Sequence, residues 1–513
     1  MVNIRVDGQP HSFQNHRLGG LPLNDALMQQ LVASGQQHLL QCWNELTDEA
    51  RRGFARQLSS VDWPLMRRLK DQNRRSSSTD RKLYHTALPP KHVVRAPRSP
   101  EEVLLRETAR LRGRDALRSG RVAVLIVAGG DGTRLEFPFP KGMFPIGPVS
   151  GKSLFQLLAE KVIATSIRYR VPIPYLVMTS NSTHDATVAW FVEHNYFGLD
   201  PVDVHFFRQG ALPVIDSQTG KMLLEDKGKL SLSADGHGGV LAALEHAGLF
   251  DHLRGRGVEY VFYHQIDNPL VQVCDPVFLG YHVLHGSEAS TKVVSKRSVS
   301  EKVGVVAEID ERTEIIEYSD LPTELSAARN ADGSLQFWAG NTAIHVFNRS
   351  FLERAAVNGG LPWHAARKKV PFFSDEGKLV QPAYENGLKF ERFIFDALPL
   401  ANRTLVVEAE RFEEFAPLKN SEGESSPAEV RRCLVEIARR WLSAAGVEVP
   451  VGVPVEISPF VAMAPGDIKP GRFDHLQFDA PVYLDSPAGG RQSEPVRNSS
   501  EQQREVASRR FPR

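Results

Sequence analysis

The sequence is short of cysteine, short of long apolar runs and short of any surplus of charge, and each shortage removes a class of function. Its three cysteines, Cys42, Cys274 and Cys433, stand far apart in 513 residues and show no metal-binding spacing. That pattern excludes a disulfide framework and points to a reducing compartment. No apolar stretch reaches the roughly 20 residues a transmembrane helix needs. The opening residues 1–13 lack the apolar core of a signal peptide. A cytoplasmic protein with no membrane partner is expected. Basic and acidic residues number 62 and 61, a formal charge of +1. A dedicated nucleic-acid binder, with its basic stripe and high pI, is therefore not expected. What is present, 42% hydrophobic and 24% charged residues, describes an ordinary globular chain long enough for two or three domains.

Apolar patterning divides the chain. Leu27, Leu31, Leu39, Leu40, Trp43 and Leu46 recur at helical spacing, and Thr47-Asp48-Glu49 offers a helix N-cap before Phe54 and Leu58. Residues 1–100 thus read as a small helical subdomain followed by an irregular linker over 72–100, rich in Arg, Ser and Pro. From 121 onward, apolar strands at 122–127, 175–179, 204–207 and 260–266 alternate with helical stretches at 153–168 and 240–247. Such alternation predicts a mostly parallel sheet covered by helices, an α/β domain over 101–425. Residues 291–295, 304–309 and 313–318 read as more exposed strands of an insertion. An amphipathic helix over 427–445 and short Val- and Pro-rich strands predict a small α+β subdomain over 426–485. The stretch 486–513 has almost nothing to bury and is expected to be a disordered tail.

The most informative stretch is 121–141. The apolar run Val122–Val127 stops at Gly129-Gly130-Asp131-Gly132-Thr133-Arg134, and Lys141 follows seven residues later. Glycines after a buried strand let backbone N–H groups approach a phosphate or a base, and Arg134 and Lys141 add positive charge beside them. A dinucleotide fingerprint counted from Gly130 would need glycine at 135, where Leu135 stands. A P-loop needs four residues before Gly-Lys-Ser, but only three separate Gly147 from Gly151-Lys152-Ser153, which reads as a helix start instead.

The loop resembles the signature of nucleotidyltransferases that couple UTP to a sugar 1-phosphate. Further matches follow in one family's order at Phe206-Phe-Arg-Gln-Gly-Ala-Leu-Pro213, Asp235-Gly-His-Gly-Gly239, Ile266-Asp-Asn268 and Gly304-Val-Val306. They continue at Glu317-Tyr-Ser319, Gly340-Asn341, Phe390-Glu-Arg-Phe-Ile-Phe-Asp396 and Glu414-Phe-Ala-Pro-Leu-Lys-Asn420. Over about 100–420 the chain is similar to the UDP-N-acetylglucosamine and UDP-sugar pyrophosphorylases, a specificity no single short motif carries.

The resemblance implies a Rossmann-like nucleotidyltransferase domain and a Mg²⁺-dependent reaction of UTP with a sugar 1-phosphate, giving UDP-sugar and pyrophosphate. It places Val127, Ala128, Gly129 and Gly130 against base and ribose, with Gln209 reading uracil and Gly236 as a second nucleotide contact. Arg134, Lys141 and Lys419 would hold the phosphates, and Asp267 the metal. His237, Glu317, Tyr318, Gly340, Asn341, Phe393 and Phe395 match positions around the sugar. Independently, Asp267 ends an apolar strand, where a carboxylate suits Mg²⁺, although Asp-Asn-Pro is also a turn signal. Two residues depart from the family pattern: Glu136 replaces a glycine, and His237 stands where acetylglucosamine enzymes commonly show Asn. His237 is more typical of glucose 1-phosphate relatives, whereas Gly142-Met143 and the 390–396 block favour the acetylglucosamine branch. N-acetylglucosamine 1-phosphate is the expected substrate. Glucose 1-phosphate or a broad sugar range is the alternative, and a non-catalytic UDP-sugar binding protein is a competing class. A UDP-sugar glycosyltransferase would be expected to carry Asp-x-Asp at a strand end, and Ile266-Asp-Asn268 is the nearest thing to it.

Overall fold

The computed structural model describes residues 4–6, 9–11, 24–75, 84–357, 360–374, 376–486 and 489–492. Contacts divide the chain into two units, one drawn from 1–80, 210–239 and 362–393, the other from 81–209, 240–361 and 394–513.

In the first unit, helices Asp25–Ala33, Asp48–Ser59 and Trp63–Arg75 form where the apolar stripe predicts them, and the Thr47 hydroxyl accepts from Ala50 N at 3.3 Å as the expected cap. The helices are not a subdomain by themselves. Leu31, Phe54, Leu58, Trp63 and Leu69 bury against Ile215, Met222, Leu230, Leu388 and Phe390, which come from far along the chain. The physical reason is that one amphipathic face needs a second apolar surface. Here the three-stranded sheet of Ile215–Asp216, Gly387–Glu391 and His364–Lys368 belongs to the same unit. Gln36 ties the elements together, donating to Gly220 O at 3.0 Å and accepting from Met222 N at 2.8 Å.

The second unit is built on a ten-stranded sheet. Its main path runs Val93–Val94, Thr404–Glu408, Ala289–Ser295, Ala339–Asn348, Tyr260–Gln265, Val122–Val127, Tyr175–Thr179, Val204–Arg208. Ala339–Asn348 runs antiparallel to both its neighbours and the other adjacent pairs on this path are parallel. The sheet is the predicted mostly parallel α/β core. Val122–Ile126 and Tyr175–Met178 are buried throughout, as strands covered on both faces must be. Helix Leu154–Tyr169 starts at Ser153, whose hydroxyl accepts from Gln156 N, so Gly151-Lys152-Ser153 does open a helix.

Three sequence expectations are corrected here. Ala289–Ser295 is no exposed insertion strand, because it lies inside the main sheet between Ala339–Asn348 and Thr404–Glu408 and is buried along six of its seven residues. The hairpin Val305–Ile309 and Arg312–Ile316 does branch off, joined to the sheet through Val305 and Gly340. Part of the linker read over 72–100 is also ordered: Val93–Val94 pairs with Val406 and Val407 at the sheet edge. Within 426–492, helix Pro427–Ala444 packs on Val455–Ile457 and Val482–Ser486 through Leu442, Val455, Phe473, Val482 and Leu484. Gly489–Gln492 forms a further strand on Val482–Ser486, within the stretch read as tail. Residues 493–513 lie outside the described residues.

Candidate nucleotide site

Register sets the site. Val127 pairs with Gln265 and with Met178, and Thr179 pairs with Arg208, so the loops after these four parallel strands start at one level of the sheet. Backbone bonds continue past the strands: Ala128 N donates to Met178 O at 2.7 Å, Ile266 N to Val127 O at 3.0 Å, and Gln209 N to Thr179 O at 2.8 Å. Carboxyl ends of parallel strands are where open α/β sheets bind ligands.

The glycine loop closes on itself there. Lys141 N donates to Gly130 O at 3.1 Å and Gly132 N to Phe139 O at 3.1 Å, bringing Lys141 back beside the glycines. A Cβ on Gly129 would stand 2.6 Å from the Gln209 amide oxygen and 3.1 Å from Ser180 N. The buried Gln209 amide therefore lies against Gly129, across a space a side chain would enter only by displacing that amide. Arg134 is exposed in the turn Thr133–Leu135, and Glu136 caps that turn at φ 54° with its side chain in solvent. A glycine would adopt this left-handed backbone without strain.

Lys141, Asp267 and Lys419 come together from three segments. The half-buried Lys141 Nζ donates to Leu418 O at 3.3 Å, and Leu418 N donates to Asp267 O at 2.7 Å. Burial is the main cause that lowers the Lys141 pKa; Asp267 opposes it, while Lys419 and Arg134 push it further down. Asp267, Lys419 and Arg134 are thus each within electrostatic reach of Lys141, two further positive charges and one carboxylate. Among the described residues no group of three His, Cys, Asp or Glu side chains forms a metal cage.

The Walker-like loop has its chemistry spent internally. The buried Glu456 carboxylate accepts from Val149 N at 2.8 Å, Ser150 N at 2.7 Å and Ser150 Oγ at 2.7 Å, filling the place a phosphate would take. Lys152 pairs with Glu160 at 2.7 Å.

Of the residues matched to a sugar, Glu317, Gly340 and Asn341 lie around Gly304. Asn341 N donates to Gly304 O at 2.8 Å, Val305 pairs with Gly340, and the Glu317 carboxylate lies 3.2 Å from where a Gly304 Cβ would stand. Tyr318 beside them is 48% exposed, and Phe395 in the same unit is 4% exposed. Gly236, His237 and Phe393 belong to the first unit. There the His237 ring lies 5.3 Å from Phe393, which also meets His364 at 4.7 Å. Burial, with a smaller push from His364, lowers the His237 pKa to about 4, so the ring is neutral at pH 7. Gly236 takes φ 80°, and a Cβ there would overlap the Arg392 carbonyl. The Arg392 guanidinium donates to Asp235 at 2.7 Å and lies over Trp363.

Asn268 and Glu414 stand inside the motifs with no role implied for them, and Lys292 and Lys161 lie outside the motifs. The Asn268 amide donates to Glu414 O at 2.7 Å and accepts from Ala416 N at 3.2 Å. Lys292 pairs with Asp275 at 2.8 Å and, more closely, with Glu414. Lys161 Nζ donates to Pro269 O at 2.6 Å and Val271 O at 2.8 Å. A charged residue amid Val and Thr in a strand, as in 291–294, was the available signal for Lys292.

Known proteins share this arrangement of sequence and fold. The profile of the UTP–glucose-1-phosphate uridylyltransferase family matches residues 80–425. The UDP-N-acetylhexosamine pyrophosphorylase-like protein 1 of Homo sapiens is 36% identical over 492 residues, covering 89% of this chain and 96% of that protein. The UDP-N-acetylglucosamine pyrophosphorylase of Saccharomyces cerevisiae is 41% identical over 357 residues, 67% of this chain and 75% of that one. The crystal structure of the uridine diphosphate N-acetylglucosamine pyrophosphorylase from Trypanosoma brucei, in complex with inhibitor, superposes with TM-score 0.75 at 28% identity, covering 88% of this chain and 95% of that one. With two thirds of its length inside one family profile and near-complete alignment to a relative above 30% identity, the chain belongs to the UTP–glucose-1-phosphate uridylyltransferase family.

Proposed function

We propose that the protein is a Mg²⁺-dependent uridylyltransferase that converts UTP and N-acetylglucosamine 1-phosphate to UDP-N-acetylglucosamine and pyrophosphate. A phosphate oxygen of the sugar 1-phosphate attacks the α-phosphorus of UTP. The bond from that phosphorus to the bridging oxygen breaks, and pyrophosphate leaves. Such a transfer needs alignment and positive charge where negative charge gathers, with little covalent help from the protein. The glycine backbone at 129–130 and the Gln209 amide receive the nucleoside, and Lys141, Arg134 and Lys419 face the phosphates. Asp267 would hold the metal. One carboxylate without an acidic cage suits Mg²⁺, which keeps waters and shares phosphate oxygens, and when bound it supplies charge neutralisation at those oxygens. Glu317 and Asn341 would meet the sugar hydroxyls or acetyl group, since each can pair with more than one.

The observation that carries this reading is the gathering of Lys141, Arg134 and Lys419 beside the glycine loop, with the Asp267 carboxylate set against them. The names of the human and yeast relatives favour the acetylhexosamine. His237, half-buried and neutral, keeps glucose 1-phosphate as the second substrate to test. A reducing cytosol suits the three free cysteines. Pyrophosphate release from UTP is measured with Mg²⁺ and N-acetylglucosamine, glucose or galactose 1-phosphate. Turnover is expected to be fastest with the first. No turnover with any of the three, alongside tight UDP-sugar binding by calorimetry, would replace the enzyme with a binding protein.

A further inference from the structure

We propose that the buried Lys292–Glu414–Asp275 ion triad is a positioning device that fixes the loop bearing Asp267 against the loop bearing Lys419. The inference rests on the function proposed above and assigns work to residues that the proposed function leaves without a role.

Lys292 is 2% exposed in the middle of the sheet. A buried ion pair is poor evidence for stability, because removing charges from water costs about as much as their attraction returns. Its placement is more telling. Asp275 closes the loop 266–275, where its second oxygen accepts from Val277 N at 2.9 Å and caps helix Pro276–Leu284. Glu414 opens the loop 414–420, and its second oxygen accepts from Gln272 N at 3.3 Å. One ammonium therefore joins the far end of the first loop to the near end of the second.

Between these anchors the loops are laced at alternate residues. Asn268 takes Glu414 O and Ala416 N, and Leu418 N reaches Asp267 O. Lys161 holds the carbonyls of Pro269 and Val271, stiffening the first loop from the other side. The next residue after Leu418 is Lys419, and Lys141 grips the Leu418 carbonyl. The links from Glu414 to the proposed phosphate site thus pass through Asn268, Ala416 and Leu418. Were Glu414 released, Asp267 and Lys419 would keep their chemistry and lose their separation, and a misplacement of about 1 Å in a catalytic group can cost about 100-fold in rate.

Glu414→Gln keeps shape, the acceptor for Gln272 N and the Lys292–Asp275 pair, while removing the charge that ties the second loop. Lys292→Met is the severe variant, since it leaves two carboxylates facing each other; where it fails to fold, Glu414→Gln decides. For the full chain we measure kcat and KM for both substrates, UDP affinity by calorimetry and the melting temperature. The inference expects kcat to fall about ten- to hundredfold, with both KM values and UDP affinity within about threefold of parent and the protein folded. Parental kcat in Glu414→Gln, or a loss matched by lost folded protein or lost UDP affinity, overturns it. An inactive parent would instead remove the proposed function, so the two failures are told apart.

Discussion

Replacing Lys141 with alanine should separate catalysis from stability. Without nucleotide, its ammonium makes one hydrogen bond of 3.3 Å, to the Leu418 carbonyl. Burial, with Lys419 and Arg134 adding to it and Asp267 opposing, holds its pKa below the ordinary lysine range. The folded chain thus binds this proton less readily than the unfolded chain. By linkage the charged form works against folding at every pH below the folded pKa, and that cost fades only as pH rises toward the unfolded value. Truncation relieves that cost and removes a hydrogen bond worth about 1 kcal/mol. The two effects oppose, so the melting temperature should shift by no more than about 2–4 °C. Turnover behaves differently, because one preorganised donor to a developing anion is worth about 100- to 1,000-fold in kcat. UTP at about 100 times its Kd stabilises a parent by about 2.7 kcal/mol, and a variant binding 100-fold more weakly retains about 0.4 kcal/mol of that. Pyrophosphate release and thermal shifts with and without UTP read both quantities. Parental turnover, or a rate loss equal to the loss of folded protein, would refute the reasoning.

Three further outcomes are expected. Gly129→Ala places a methyl 2.6 Å from the Gln209 amide oxygen; that flexible end swings away, so the melting temperature holds while the calorimetric Kd for UTP rises about tenfold or more. Gly130→Ala, with nothing within 4 Å of its new Cβ, should be equally stable, and a collapse of either fold contradicts the loop geometry. His282, with Nδ1 2.7 Å from Ser290 Oγ and Nε2 3.0 Å from Asn348 Oδ1, has its pKa lowered from 6.5 to about 4 by burial, Asn348 opposing. Its stability contribution is full above pH 6.5 and falls as pH drops toward 4, by about 2 kcal/mol at pH 5; His282→Gln should flatten melting temperature against pH in that window, and a curve parallel to the parent's would count against it. Glu456→Ala strands three donors at 149–150 and should cost on the order of 3 kcal/mol in urea unfolding; an unchanged midpoint would mean another acceptor serves them.

How much of this was legible follows from where each interaction's partners lie in the chain. Strands such as Val122–Val127 and Tyr175–Thr179 announce themselves because burial on both faces demands continuous apolar runs, a local signal. Ala289–Ser295 hid the same burial behind Ser290, Thr291 and Lys292, polar side chains that find partners inside the fold, Lys292 as far along the chain as Glu414. The N-terminal helices were readable as helices and unreadable as part of a larger unit, because their covering surface comes from 210–239 and 362–393. Asp267 was visible at a strand end, whereas Asn268 beside it looked like a turn residue. Its amide in fact joins two loops nearly 150 positions apart, a separation of 146 to Glu414.

The lysines show why residue type and motif alone could not sort structural from functional charge. Lys152 follows a glycine in a phosphate-like motif, yet Glu160 and Tyr483 answer its charge, and their pull outweighs the larger single effect of burial to raise its pKa. Lys292 is deeper still, and there too two carboxylates outweigh burial. Both ammonium groups are satisfied within the fold and have nothing left to offer a ligand. Lys161 is lowered to about 8 by burial, but two of its three N–H groups are spent on carbonyls. Lys141 differs from all three, because the fold sets Arg134 and Lys419 close enough to repel it while Asp267 pulls the other way, and burial with the two cations prevails. Like charges gathered at a strand-end loop are a cost that folding alone gives no reason to keep. On the function proposed above, the polyanion that answers this surplus of positive charge is the triphosphate of UTP.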